Sequence, residues 1–336
     1  MSPLSQRASE AALVTKELKE FTDKNVSISL EDFLYRGSHA GGARFPKALA
    51  THLNEYLRPI SAITPDMIRC VGAATAMHDI LAWSIGDPDD GVVTSRPVYG
   101  RLELDFGNKS QVTVVYSNNK VEEAFQDDVV EKFEEALIRS RKAGIHIKMV
   151  LIINPHNPLD PAGLIDPELV HVTYGLSKDF GAAGLRLGAI ITRSRPVLQA
   201  IEAAMRFHNP SGASLAIGSA MLENRAWCRA FIECSREKLS KAHRHITLEL
   251  RDMGIKYLPG SNAGFFVWID LSPYLPSELD GELNQEFALA KKFRARGVFL
   301  HPREEHSLEP GWFRLVYTQD PRTVSEGLQR IRKAIS

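Results

Sequence analysis

The chain has 336 residues, enough for two domains or for one large domain with a smaller appendage. Lysine plus arginine equals aspartate plus glutamate at 41 each, so it has neither the basic excess of a nucleic-acid binder nor an acidic tail. Three cysteines without metal-ligand spacing, a polar opening at Met1–Arg7 and no apolar run of membrane-span length give the expectation of a cytoplasmic protein with no membrane partner.

Residues 6–23 have the spacing of a short amphipathic helix, with Leu13, Leu18 and Phe21 among charges. The glycine-rich stretch Phe33–Phe45 leads into a helix near Arg44–Tyr56, with Pro46 in its first turn. Met67–Val71 reads as a strand, followed by the small-residue turn Gly72-Ala-Ala-Thr-Ala76 and a helix through Met77–Trp83. A strand, a tight turn and a helix start leave backbone N–H groups and a positive dipole end for an anion. Further strands are expected at Gly91–Arg96 and Gln111–Tyr116, with a helix-like segment ending at Phe106 between them. A charged helix over 121–142 turns Phe125, Val129, Phe133, Ala136 and Leu137 inward. Lys148–Ile153 is continuously apolar after its lysine, as in a strand covered on both faces, and Leu169–Tyr174 reads as a second buried strand. Ala189–Thr192 is a strand, 196–206 and 212–222 are helical, and Arg225–Met253 is one long helix. A second unit follows: strand Gly264–Asp270, helix Leu283–Arg296, strand Val298–Leu300, strand Trp312–Val316 and a closing helix from Thr323. This alternation predicts an α/β protein: a large domain with a mainly parallel sheet flanked by helices, over 46–222, and a smaller α+β domain over 223–336, with 1–45 as an N-terminal arm.

The stretch Tyr174-Gly-Leu-Ser-Lys-Asp-Phe-Gly-Ala-Ala-Gly-Leu-Arg-Leu-Gly188 organises the rest. Lys178 lies just past a strand end, where an amine can serve as nucleophile or Schiff-base partner. Arg186 follows eight residues on and suits a phosphate. An amine for a carbonyl beside a guanidinium for a phosphate points to pyridoxal 5'-phosphate. Asn154-Pro-His-Asn-Pro158 stands at the carboxyl end of a strand, where open α/β sheets bind ligands. Arg314, inside an apolar strand, calls for an anion such as a substrate carboxylate or else points to solvent.

Six motifs in order resemble the fold-type I pyridoxal-phosphate enzymes of the class I/II aminotransferase group, and within it the 1-aminocyclopropane-1-carboxylate synthase-like branch. They are Gly72–Ala76, Pro97–Tyr99, Asn154–Leu159, Ser177–Gly181 with Gly184–Gly188, Gly264–Leu271 and Gly311–Arg314. The resemblance implies a pyridoxal-phosphate transferase fold and a homodimer acting on a small amino acid. The activity it implies is transamination or the γ-elimination of S-adenosylmethionine that closes a cyclopropane ring. By position, Lys178 is the catalytic Schiff-base lysine and α-proton base, and Arg186 holds the phosphate with the backbone at Ala74 and Thr75. Ser177 joins the cofactor-binding set, Tyr99 stacks on the ring, Asn157 bonds its phenolic oxygen, and Arg314 grips the substrate carboxylate. Tyr35 reaches the phosphate of the neighbouring subunit.

Three departures qualify these expectations. Gly175 stands where the family has a phosphate-binding serine, a loss of about 1–3 kcal/mol for a hydrogen bond to a charged acceptor. The opening segment with its substrate contact has no counterpart. Between Asn157 and Lys178 the family places a helix, a strand ending in Asp-Glu-x-Tyr and a return, whereas only the eleven residues 158–168 stand between Asn157 and the second apolar run here. A parallel crossover alone takes about a dozen. The missing aspartate pairs with the ring nitrogen, and the missing strand leaves its neighbours either to pair directly or to face a gap. Mis-splicing and degeneration to a catalytically impaired relative are the two explanations.

Overall fold

The structure is a computed structural model, and it describes residues 13–34, 41–121, 123, 129–153, 166–260, 263–302 and 308–335. Its first sheet is parallel and three-stranded in the order β3-β2-β4, made of β2 (Gly91–Thr94), β3 (Thr113–Tyr116) and β4 (Ile147–Leu151). A second three-stranded sheet is antiparallel, with β6 (Gly188–Thr192) between β1 (Ile68–Val71) and β5 (His171–Gly175). The third, four-stranded and antiparallel, has the order β7-β8-β10-β9, from β7 (Lys256–Tyr257), β8 (Phe266–Asp270), β9 (His301–Pro302) and β10 (Trp312–Val316).

Helix α3 (Ala73–Ile85) ties the first two sheets together. Its Met77 and Ile80 are buried with Val71 of β1 and Ile190 of β6, and Met149 of β4 packs against the same cluster. α4 (Leu102–Gly107) closes a neighbouring cluster in which Phe106 meets Val92 of β2. On the other side, α2 (Arg44–Leu57) and α8 (Gly212–Glu223) bury Phe45, Leu49, Leu215 and Leu222 against the β1–β6–β5 sheet. α1 (Thr15–Asn25) docks there through Phe21, whose ring stacks 4.1 Å from that of Trp227. The apolar spacing legible in the sequence therefore marks the buried face of each of these helices.

The 28-residue α9 (Arg225–Asp252) spans two cores. Its first turns place Cys228 and Phe231 in the core that α2 and α8 form against the β1–β6–β5 sheet. Its last turns place Ile246 and Leu250 in the core of the third sheet, with Phe293 of α10 (Gln285–Ala295) and Leu328 and Ile331 of α11 (Pro321–Ile335). α5 (Val129–Lys142) packs against the parallel sheet through Ala136.

Several local expectations need correcting. Lys148–Ile153 is not covered on both faces: Val150 is 57%, Ile152 73% and Ile153 48% exposed. Leu169–Tyr174 is not a buried strand either, with Leu169 71% and Val172 40% exposed. Among the described residues β4 pairs only with β2, and β5 only with β6. The sheet is thus divided where the resemblance places its missing strand, and the apolar side chains that strand and its helix would cover stay open. Leu137 of α5 is exposed rather than inward, and Phe125 lies outside the described residues. Val298–Leu300 is not a strand; the pairing begins one residue later at β9, and the two-residue β7 had no apolar run to announce it.

Gly311 opens β10, the strand that carries Arg314. Its φ is +94°, and an added Cβ would lie 2.4 Å from Ser272 Cα. Its N–H donates to the buried Glu286 carboxylate at 2.9 Å. Gly311→Ala is expected to cost about 3 kcal/mol, from left-handed backbone plus overlap. A urea midpoint equal to wild type's would contradict this account.

Candidate functional site

Lys178, Arg186 and the start of α3 meet at one end of the antiparallel sheet. β6 lies between the other two strands, with Val71 of β1 opposite Gly188 on one side and Gly175 of β5 opposite Gly188 on the other. At this end the chain leaves β1 and β5 and enters β6. Beyond β5 it enters the four-residue α6 (Leu176–Asp179), which carries Ser177 and Lys178. Beyond β1 it enters α3 through Gly72, and Arg186 stands two residues before Gly188. The bond from Leu176 N–H to Leu187 C=O, 3.1 Å, closes the hairpin that holds the lysine and arginine limbs together. Gly188 is required at the junction, because a Cβ there would lie 2.8 Å from Tyr174 O and 2.9 Å from Met77 Cε.

The anion-binding character of this end comes from backbone and charge. No side chain caps the N-terminus of α3, and Ala74 and Thr75 in its first turn are exposed. Gly72, Thr75 and Arg186 line one cleft of about 510 Å³, with Asp79, Lys109 and His208 further along it. Free N–H groups, a helix dipole and a guanidinium around one opening are the donor set that a phosphate takes. Arg186 itself has φ +47°, and its side chain is exposed.

Lys178 and Arg314 both approach one aromatic ring, that of Phe266. Lys178 Nζ lies 5.1 Å from the ring centroid of Phe266 and 5.5 Å from that of Phe265. The Arg314 guanidinium carbon lies 4.5 Å from the same Phe266 ring. Arg314 is half-buried in β10, opposite Trp268 of β8 and His301 of β9. Tyr99 is 43% exposed; burial and then Asp105 raise its phenol above the ordinary value, while Arg101, Arg314 and Arg186 pull it down. Thr75 and Arg186 thus share one cleft, Lys178 and Arg314 share the Phe266 ring, and Tyr99 lies within electrostatic reach of Arg314 and Arg186. Tyr35 and Asn157 lie outside the described residues.

Under the lysine runs a polar chain that the sequence did not announce. Tyr174 donates its hydroxyl to Asp179 at 2.8 Å and accepts from His52 Nε2 at 3.0 Å. The other ring nitrogen of His52 faces Arg225 Nη1 at 3.4 Å and Cys228 Sγ at 3.8 Å, and Arg225 is paired with Glu55 at 2.7 Å. His52 is 2% exposed; burial first, then Arg225, push its pKa down to about 4, against a smaller upward pull from Glu55. Burial raises the Asp179 carboxyl, against the Tyr174 bond and Arg236. Because the folded value for His52 is below the unfolded one, the neutral ring stabilises the fold fully above about pH 6.5. That stability fades as pH falls toward 4, by about 3 kcal/mol in all. His52→Gln is expected to flatten the stability profile between those pH values; an unchanged slope would remove His52 as its source.

A second cluster was also missed. The Asp79 carboxylate is 2.9 Å from His208 Nε2 and 3.0 Å from Lys109 Nζ, and His78 Nδ1 meets Asp105 at 2.9 Å. The four-residue step from Thr75 to Asp79 was the available signal for the first, since it puts both on one face of α3.

The family model for aminotransferase class I and II matches residues 16–159 and 161–331. The chain belongs to this family. The break in the match at residue 160 falls inside the short stretch between the two apolar runs. The chain is 26% identical to a 1-aminocyclopropane-1-carboxylate synthase-like protein 1 of Takifugu rubripes, covering 85% of this chain and 54% of that protein. It is also 26% identical to the Homo sapiens protein of the same description, over 86% of this chain and 67% of that one. Both relatives are described as 1-aminocyclopropane-1-carboxylate synthase-like proteins. The chain thus spans little more than half of the fish relative. That alignment runs over 338 positions while taking in 85% of the chain's 336 residues, so the relative has stretches without counterpart here. An aspartate aminotransferase of Thermus thermophilus shares the fold with a TM-score of 0.73 at 18% identity, over 98% of this chain and 91% of that one. The fold is therefore the α/β fold of the aminotransferases, with its parallel sheet and flanking helices.

Proposed function

We propose that this chain binds pyridoxal 5'-phosphate and acts on a small amino acid. The observation that carries the reading is the meeting of Lys178, Arg186 and the uncapped start of α3 at one end of the β1–β6–β5 sheet. That donor set fits an aldehyde and a phosphate at the two ends of one small ring. A solved relative in fold, a Pyrococcus horikoshii kynurenine aminotransferase, is described in complex with PMP, at 16% identity and a TM-score of 0.73.

Arg186 and the backbone at Ala74 and Thr75 hold the phosphate, and Ser177 adds a contact to the cofactor. By the resemblance Tyr99 would flank the ring, and Asn157 would meet its phenolic oxygen. Lys178 would supply the amine for the cofactor's carbonyl and would take the proton from the substrate α-carbon. Arg314 clamps the α-carboxylate, which fixes the α-proton toward Lys178. When bound, the cofactor supplies an electron-withdrawing ring that stabilises negative charge at that carbon. The sequence limits of the units, 46–222 and 223–336 with an arm over 1–45, and a cytoplasmic homodimer in which Tyr35 crosses to the neighbouring site, belong to the same reading.

The test is to mix the protein with pyridoxal phosphate, reduce with borohydride, and locate the modified lysine by mass spectrometry. Modification of Lys178 supports the reading; modification spread over surface lysines with no visible absorbance band refutes it. Product analysis with an amino donor plus a keto acid, and separately with S-adenosylmethionine, distinguishes transamination from ring-forming elimination.

A second reading has a specific observation behind it. β4 and β5 are unpaired with each other among the described residues, at the place where the family's ring-nitrogen aspartate would stand. The chain is then a catalytically impaired cofactor-binding protein, and it gives the Lys178 adduct with turnover of neither substrate class. A Mus musculus relative, 25% identical over 91% of this chain, is described as a probable inactive 1-aminocyclopropane-1-carboxylate synthase-like protein 2.

A further inference from the structure

We infer that Asp79, His208 and Lys109 position and electrically prepare the phosphate-binding turn at the start of α3. The inference rests on the cofactor reading above and deepens its phosphate end.

His208 grips α3 at two heights. Its backbone carbonyl accepts from Gly72 N–H at 3.0 Å, and its ring meets the Asp79 carboxylate at 2.9 Å. Seven residues separate Gly72 from Asp79, so the loop carrying His208 is fastened along about two turns of the helix. Gly72 is also held between two carbonyls, since a Cβ there would lie 3.6 Å from His208 O and 3.8 Å from Arg186 O. Rotating α3 about its axis therefore breaks the Asp79–His208 bond and moves the turn away from the Arg186 limb. The side-chain bond sets the angle at which the free N–H groups of Ala74 and Thr75 meet the cleft.

Charge supplies the second half of the argument. Asp79 is 6% exposed and lines the same cleft as Thr75 and Arg186. A bare carboxylate there would repel a phosphate. Lys109 Nζ, 3.0 Å from its Oδ2 atom, offsets that charge, and the His208 ring, 2.9 Å from the same atom, supplies a hydrogen bond. The carboxylate thus fastens the turn, and the lysine offsets its repulsion.

The test compares the dissociation constants of pyridoxal phosphate and of pyridoxal, which lacks the phosphate, for the full chain and its variants. Wild type is expected to prefer the phosphorylated form. His208→Ala is expected to weaken pyridoxal phosphate by about tenfold, the worth of one hydrogen bond to a charged group, and to leave pyridoxal within about twofold. His208→Gln, whose amide can donate to Asp79, restores most of the preference. Lys109→Met lowers the preference by a similar factor, and adding Asp79→Asn to it brings the preference back. A merely structural role lowers the melting temperature and weakens both ligands together, which overturns the inference. An unchanged preference in His208→Ala and Lys109→Met overturns it as well. Wild type without affinity for pyridoxal phosphate would sink the cofactor reading and this inference with it. A variant-only result leaves the cofactor reading standing.

Discussion

Replacing Lys178 with alanine is expected to abolish the visible absorbance of the protein mixed with pyridoxal phosphate and to leave no borohydride-stable adduct. The α3 turn and Arg186 are untouched by the substitution, so the phosphate end still binds and the cofactor washes out on dialysis. Any turnover falls by roughly 10³-fold or more, since the same amine is both the covalent anchor and the proton carrier. Lys178→Arg separates the two contributions of the side chain. It keeps a cation against the Phe265 and Phe266 rings, now 5.5 and 5.1 Å from the amine, but offers no nucleophile. The arginine variant is expected to match wild type in melting temperature and the alanine variant in colour. An absorbance band that persists in both variants would mean that a different lysine carries the chemistry.

The second large effect concerns the open seam between the two halves of the divided sheet. Val150, Ile152 and Ile153 at the β4 edge and Leu169 and Val172 at the β5 edge are all at least 40% exposed. Strand edges with free N–H and C=O groups and apolar side chains invite pairing with other chains. The wild-type protein is expected to bind a hydrophobic dye strongly and to self-associate at micromolar concentration. Ile152→Lys with Val172→Lys should cut the dye signal by roughly half or more and shift the protein toward a single species, with little change in melting temperature, because neither side chain is in a core. Light scattering and dye titration measure both. A double variant that aggregates like wild type would show that the association lies elsewhere.

The parts that the sequence made legible were those set by local chemistry. The glycine, lysine and arginine spacing in Tyr174–Gly188 encodes a hairpin whose two limbs the register Gly175 to Gly188 brings side by side. Gly72–Ala76 was read as a strand-to-helix turn, and α3 does begin at Ala73. β10 was read with its limits intact, since Trp312–Val316 is apolar on both sides of Arg314. What the sequence hid depended on partners far along the chain. An apolar run in β4 records that covering is wanted, not that the covering segment is present. His208 and Asp79 are 129 positions apart, and His52 and Tyr174 are 122 apart, so no window of local periodicity joins them. The step from Thr75 to Asp79 was visible, but the residue that gives Asp79 its meaning was not.

The long helix α9 has a mechanical consequence. At about 1.5 Å per residue it is a rod of about 42 Å, rooted at one end beside Phe231 and at the other beside Leu250. A tilt of about 5° about the first end swings the second by about 4 Å, more than the length of a hydrogen bond. Arg314 rides on the sheet packed at the swinging end, whereas Lys178 belongs to the fixed one. Small strains where α9 seats Trp227 and Cys228 in the first core are thereby geared up into the separation between Arg314 and Lys178. Crowding that root, as Cys228→Phe would, should be felt first as weaker substrate affinity, well before the protein melts.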